Sequence, residues 1–211
     1  MPEPPPAASP PGIAVLGGTF DPPHRSHLRL ARAALEHLPV AELRVIPAGD
    51  HPHKRHHTTP AVHRLAMCRI AFRELPGARV DDRELRRQGP SFTVDTLAEL
   101  AAEAPGRRLF FLIGSDNLPL LPTWHDHHRL LRLATVVTYP RAGCPVGAEL
   151  LAGLDLSPTE QHQLLAQVLR LPADATAASD LRQRWRRGER NLPELDPAVE
   201  AYLTAHRLYA P

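Results

Sequence analysis

Apolar positions along the chain alternate between two spacings. Ile13-Ala-Val-Leu16 is a short continuous apolar run, as expected of a strand covered on both faces, and Leu28, Ala31, Leu35 and Leu38 then recur at helical spacing. A second strand is predicted over 43–46, a second helix over 61–75 stopped by Pro76-Gly77, and a third short strand over 78–80. A helix over 91–104, ended by Pro105-Gly106, leads into strongly apolar strands over 109–113 and 135–138. The stretch 143–172 is less regular, with a helix over 160–166 and a strand over 168–171. Two helices close the chain. One spans 179–187 with Ser179 and Asp180 as candidate caps; the other spans 197–206 with Asp196 as N-cap and Pro197 at the first helical position.

Strand and helix alternate at intervals too short for two domains. The pattern therefore predicts one α/β domain over 12–211: a Rossmann-like, doubly wound, mostly parallel sheet with C-terminal helices. Residues 1–11 are rich in Pro and Ala and predict a disordered leader.

Composition narrows the setting. No stretch approaches the roughly 20 continuous apolar residues of a membrane span, and the first residues lack the regions of a signal peptide, so a cytoplasmic protein without membrane contact is expected. The two cysteines, Cys68 and Cys144, form neither a disulfide framework nor a zinc or redox motif, and Cys68 falls in a helical apolar pattern that makes it a packing residue. A net charge of +2 is too even for a general nucleic-acid coat, so any basic site must be local. Of the 25 basic residues, 24 are arginine and Lys54 is the one lysine. His51, His53, His56 and His57 surround that lysine without a cysteine or carboxylate set, which reads as a solvated loop and not a metal site.

The most informative segment is Gly17-Gly-Thr-Phe-Asp-Pro-Pro-His-Arg-Ser-His27, which runs from the first strand into the first helix. Glycines at such a turn let backbone amides approach a ligand, and the helix that follows aims free N–H groups and a positive dipole end at an anion. His24 and His27, three apart at the helix start, can face the same phosphate. The segment is neither a Walker loop nor a dinucleotide fingerprint.

This segment closely resembles the GGTFDPxHxGH signature of the HxGH nucleotidyltransferase superfamily, with Ser26 standing where the signature has glycine. Asp82-Arg-Glu-Leu-Arg-Arg-Gln-Gly-Pro-Ser-Phe-Thr93, Phe111-Leu-Ile-Gly-Ser-Asp116 and Pro122-Thr-Trp124 follow in the order seen in bacterial nicotinate-nucleotide adenylyltransferases. Pro52-His-Lys54 is similar to that family's Pro-Pro-His-Lys loop, with His51 in place of the first proline, and Thr176-Ala-Ala-Ser-Asp-Leu-Arg182 to its ISxTxxR pattern, with Ala177 replacing the first serine.

The resemblance implies transfer of AMP from ATP, accompanied by Mg²⁺, to nicotinate mononucleotide, giving deamido-NAD and pyrophosphate. It implies His24, His27, Lys54 and Arg182 as the residues acting on the phosphates, with Gly17, Gly18, Thr19, Phe20 and Ser179 also at ATP. For the acceptor it implies Ser91 and Phe92 in the pocket, Trp124 stacked on the pyridine, Thr93 and the His125 amide at the carboxylate, and Asp116 at a ribose. Arg141 is implied, more loosely, beside the adenine or phosphates. Three alternatives stay open at this point: nicotinamide mononucleotide or phosphopantetheine as acceptor, or a catalytically impaired nucleotide-binding protein. Against phosphopantetheine, His24 stands where that family has threonine.

Overall fold

The computed structural model describes residues 10–49 and 59–210. Five parallel strands form one sheet in the order β3-β2-β1-β4-β5, where β1 is Gly12–Gly18, β2 Val40–Pro47, β3 Ala78–Val80, β4 Leu109–Gly114 and β5 Ala134–Tyr139. The chain moves outward through β1, β2 and β3, then returns to pair β4 on the other side of β1. That reversal opens a crevice beyond the carboxyl ends of β1 and β4, the place where open α/β sheets hold ligands.

Both faces of the sheet are covered, which is why its strands read as continuous apolar runs. Ala14 and Leu16 of β1, with Phe110 and Leu112 of β4, face a core built by α1 (Arg25–His37), α2 (Ala61–Phe72), α7 (Ala178–Arg186) and α8 (Pro197–Ala205). Ile13, Val15, Leu109, Phe111 and Ile113 face the opposite core, built by α4 (Thr93–Glu103), a 3₁₀ segment Ser115–Thr123, α5 (His127–Leu133) and α6 (Pro158–Ala166). Successive strand residues thus serve different cores, as a period of two requires. Cys68 is fully buried in the first core, and the low dielectric there pushes its thiol well above the ordinary range.

Three local expectations need correction. The helix predicted over 179–187 begins at Ala178, and its N-cap is Ala177; Ser179 and Asp180 lie inside the first turn. Backbone geometry decides this, since Ala177 is extended while its carbonyl already accepts from Asp180 N–H at 3.1 Å and Leu181 N–H at 3.2 Å. The segment 168–171 makes only one bridge, Val168 to Thr138, because Leu171 N–H turns back to the Leu169 carbonyl and Pro172 follows. A four-residue helix α3 (Arg83–Arg86), α5 and two 3₁₀ segments, Ser115–Thr123 and Ala148–Leu151, were not apparent as periodic runs. They are too short, or too interrupted by Pro119 and Pro122, to show one. By contrast Asp196 caps α8 as expected, its carboxylate accepting from Ala198 N–H at 2.7 Å with Pro197 at the first helical position.

Candidate nucleotide-transfer site

The turn after β1 places its chemistry at the crevice. A Cβ built on Gly17 would meet only Phe111, at 3.8 Å, so the space beside this glycine belongs to the crevice and not to protein packing. Phe20 takes a left-handed conformation (φ 51°), rare for a bulky residue, and sends its ring into the first core, where it lies edge-on to Phe72 and His27. The Asp21–Pro22 peptide is cis. His24 then caps α1: its N–H donates to His27 Nδ1 at 3.1 Å, and the two imidazoles lie 3.8 Å apart.

Burial controls the charge of this pair. His24 is 5% exposed and its pKa is lowered from 6.5 to about 4, chiefly by loss of solvent, with Arg141 adding to the effect and Asp174 opposing it. His27 is held well below its ordinary value by burial first, then by His24 and Arg141. Both are neutral at pH 7, and His24 Nδ1 is buried without a hydrogen-bond partner among the described residues. A buried ring nitrogen left open beside a cavity suits a ligand that supplies the missing partner.

Two cavities meet at these histidines. The larger, about 590 Å³, is lined by Thr19, Phe20, His24, His27, Ser179 and Arg182 from the expected nucleotide set, together with Ser26, Arg141 and Asp174. The smaller, about 240 Å³, holds Gly17, Gly18, Ser91, Thr93 and Trp124, with Glu84 and Thr96. Thr19, His27, Asn117 and Tyr139 border both. Trp124 reaches the smaller cavity with its ring edge-on to Phe111, 6.0 Å away.

Some expected residues fall elsewhere. Phe92 and His125 stack on each other with rings 4.3 Å apart and line neither cavity, while Asp116 borders the larger cavity and not the acceptor side. Lys54 and the histidines at 51, 53, 56 and 57 lie outside the described residues.

Three of the residues around these motifs, Asp174, Arg29 and Tyr209, carried no signal of their own in the sequence. Arg182 donates to the Asp21 carbonyl at 2.7 Å, and Asp21, 3% exposed, accepts from the Tyr209 hydroxyl at 2.5 Å. Tyr209, 188 positions from Asp21, thereby braces the residue whose carbonyl the arginine grips. Asp174 accepts from Arg29 and from Thr176 N–H, and also from the Ser26 hydroxyl. Burial alone would raise its pKa, but these partners hold it well below the carboxylate range. Arg141 donates to the Thr176 carbonyl at 3.1 Å, joining the end of β5 to the start of α7.

One cluster resembles a metal site by residue type, His127, His128 and Asp155. Its donors are already engaged. His128 Nδ1 lies 2.7 Å from Glu160 and His127 Nε2 lies 3.1 Å from the Asp155 carbonyl, so the group ties α5 to the chain around α6.

Comparison with known proteins agrees with this geometry. The cytidylyltransferase-like family model matches residues 15–184. A protein of Albidiferax ferrireducens named "probable nicotinate-nucleotide adenylyltransferase" is 43% identical over 197 residues, covering 93% of this chain and 97% of its own. One of the same name from Chromohalobacter salexigens is 39% identical over 216 residues, covering 96% and 98%. Among solved structures, Plasmodium falciparum nicotinic acid mononucleotide adenylyltransferase complexed with NaAD superposes with a TM-score of 0.77 at 16% identity, covering 95% of this chain and 98% of that one. At that identity the likeness is one of fold.

Proposed function

The chain belongs to the nicotinate-nucleotide adenylyltransferases of the cytidylyltransferase-like family, and from that premise we propose that it transfers AMP from ATP to nicotinate mononucleotide, releasing pyrophosphate and forming deamido-NAD. The observation that carries this reading is the pair of cavities joined at His27, since a two-substrate transfer needs both reactants to meet at one point.

ATP occupies the larger cavity. Its triphosphate lies against the neutral imidazoles of His24 and His27, the start of α7 at Ala178 and Ser179, and the Arg182 guanidinium. Lys54, by the family resemblance, adds a point charge to the phosphates. The acceptor occupies the smaller cavity with its pyridine against Trp124 and its carboxylate near Thr93. The 5′-phosphate of the acceptor attacks the α-phosphorus in line, an O–P bond forms, the bond to the β-phosphate oxygen breaks, and pyrophosphate carries the electrons away. No protein nucleophile is required. Positioning of this kind supplies about 7–11 kcal/mol of the barrier, and the phosphate donors stabilise charge on the transferring and leaving groups.

Mg²⁺ enters with ATP as part of the substrate. The donor set of the larger cavity suits this arrangement: Asp21 is committed to Tyr209, Asp174 to Arg29 and Thr176, and Asp116 Oδ1 accepts from the Asn117 amide. Phosphate oxygens and water would hold the ion, which would offset phosphate charge.

Pyrophosphate release from ATP and Mg²⁺ with each of three acceptors tests the assignment. Nicotinate mononucleotide is expected to react fastest; equal or faster turnover of nicotinamide mononucleotide or phosphopantetheine overturns it.

A further inference from the structure

A chain of buried polar contacts joins the walls of the two cavities through residues that the proposed chemistry does not use. Arg64, in the first turn of α2, is 1% exposed, and its guanidinium donates to three backbone carbonyls: Thr19 at 2.9 Å, Ala48 at 2.8 Å and Thr59 at 3.2 Å. Thr19 belongs to the nucleotide turn, and Ala48 follows the end of β2. The next residue is gripped from the other direction. Gly49 N–H donates to Glu84 Oε2 at 3.3 Å, and Thr96 Oγ1 donates to Glu84 Oε1 at 2.8 Å. Thr96 is buried on α4, the helix that opens with Thr93 at the acceptor cavity.

Gly49 fits this junction because of its size. A Cβ there would stand 2.8 Å from Ser91 Oγ and nearer still to the Glu84 carbonyl oxygen, with backbone on one side that cannot swing away. The link therefore runs Thr19, Arg64, Ala48-Gly49, Glu84, Thr96, from the nucleotide turn to the acceptor wall. Arginine suits the first half, since its planar fork reaches three carbonyls that a lysine ammonium on a flexible stem would not span together.

We propose that Arg64 and Glu84 are positioning residues for the transfer, setting the separation between the nucleotide turn and the acceptor wall through the Ala48-Gly49 peptide. The proposal rests on the two-cavity reading given above. In-line displacement is sensitive to such a separation, because a shift of about 1 Å between reacting groups can cost on the order of 100-fold in rate. Arg64 lines neither cavity, so loss of its grip leaves the binding contacts of both substrates in place, while Glu84 and Thr96 border the acceptor cavity alone, so loss of theirs leaves the ATP contacts in place. The effect should therefore appear in kcat more than in the KM for ATP.

Steady-state kinetics of Arg64→Lys, Glu84→Gln, Thr96→Val and the Arg64→Lys/Glu84→Gln double variant provide the test, with circular dichroism and thermal melts recorded alongside. Each single variant is expected to lose about 10- to 100-fold in kcat with the KM for ATP within about 3-fold of the unsubstituted enzyme, and Arg64→Lys, which lies outside both cavities, with the KM for the acceptor within about 3-fold as well. The double variant is expected to lose less than the product of the single losses, because both substitutions break one link. Folded variants with unchanged kcat overturn the proposal, as do strictly multiplicative losses or a lowered Tm with no change in kcat. Should Arg64→Lys not fold, Glu84→Gln and Thr96→Val decide the matter by kcat alone. Rates are taken with whichever acceptor the unsubstituted enzyme uses best. An error over nicotinate mononucleotide then shows in every protein alike, whereas an error over Arg64 and Glu84 shows as indifference of the variants only.

Discussion

The buried histidine pair makes folding stability depend on pH in a window fixed by the structure. His24 has an ordinary pKa of 6.5 in the unfolded chain and about 4 in the folded one, mainly because folding strips its imidazole of water. Between those values the unfolded chain binds a proton that the folded chain does not. Stability from this residue is therefore complete above pH 6.5, declines as the pH falls, and is spent once the pH passes below about 4. At about 1.4 kcal/mol for each pH unit, the whole interval is worth about 3 kcal/mol. Urea denaturation at pH 7 and pH 4.5 of the unsubstituted protein and of His24→Gln isolates this contribution, since other acid-sensitive groups are common to both. The unsubstituted protein should lose more stability on acidification than the variant, by about 2 kcal/mol. Equal losses in the two proteins would refute the claim that His24 is buried in the neutral form.

Binding of ATP should reverse that imbalance, because a polyphosphate beside a neutral imidazole favours its protonation; calorimetry at pH 6.5 in two buffers of different ionisation enthalpy should show net proton uptake, and less of it in His24→Gln, where His27 remains. Arg182→Lys keeps the charge but loses the fork that reaches both the Asp21 carbonyl and the cavity, so kcat/KM for ATP should fall by about 10- to 100-fold; retention of full activity would remove the bidentate role. Trp124→Ala should raise KM for the mononucleotide by about 10-fold while leaving KM for ATP unchanged, in keeping with about 1 kcal/mol for an aromatic stack; equal effects on both substrates would place the indole elsewhere. Lys54→Ala should lower kcat/KM for ATP with no change in Tm, and a variant as active as the unsubstituted enzyme would remove Lys54 from the phosphates.

What could be read from the sequence depended on how local each signal was. The strands β1, β2, β4 and β5 announced themselves because burial on both faces forces runs such as Leu109-Phe-Phe-Leu-Ile113, and α8 because its cap and first proline lie within two residues. His24, His27 and Arg182 were accessible through motif spacing, and all three border one cavity. Residues whose role depends on long-range closure left no such trace. Asp21 and Tyr209 meet across 188 positions, and Arg64 reaches Thr19 across 45, so neither periodicity nor spacing could pair them. Phe92 is the converse case: its neighbours Ser91 and Thr93 line the acceptor cavity, while its own ring packs on His125 and against the core.

Two departures from the family pattern, Ser26 and Ala177, bear on whether the site is intact, and both lie on one seam. Ser26, in place of glycine, lines the larger cavity and hydrogen-bonds Asp174, which also accepts from Arg29 and Thr176. The added hydroxyl thus stitches the start of α1 to the segment leading into α7. Ala177, in place of serine, is the N-cap of α7 and offers no side chain to the first helical amides. A capping serine would contribute about 1 kcal/mol to the helix. On the proposed reading its absence leaves the Ser179 amide, on the cavity wall, to a phosphate instead, where the helix dipole and Arg182 reinforce the same charge. On that reading a helix start without a protein cap is coupled to occupancy of the cavity, and stability forgone in the free protein is expected to be regained on binding. Measured thermal stabilisation by pyrophosphate should be correspondingly reduced in Ala177→Ser, which supplies the cap from within, and an undiminished shift would separate the α7 start from the phosphate site.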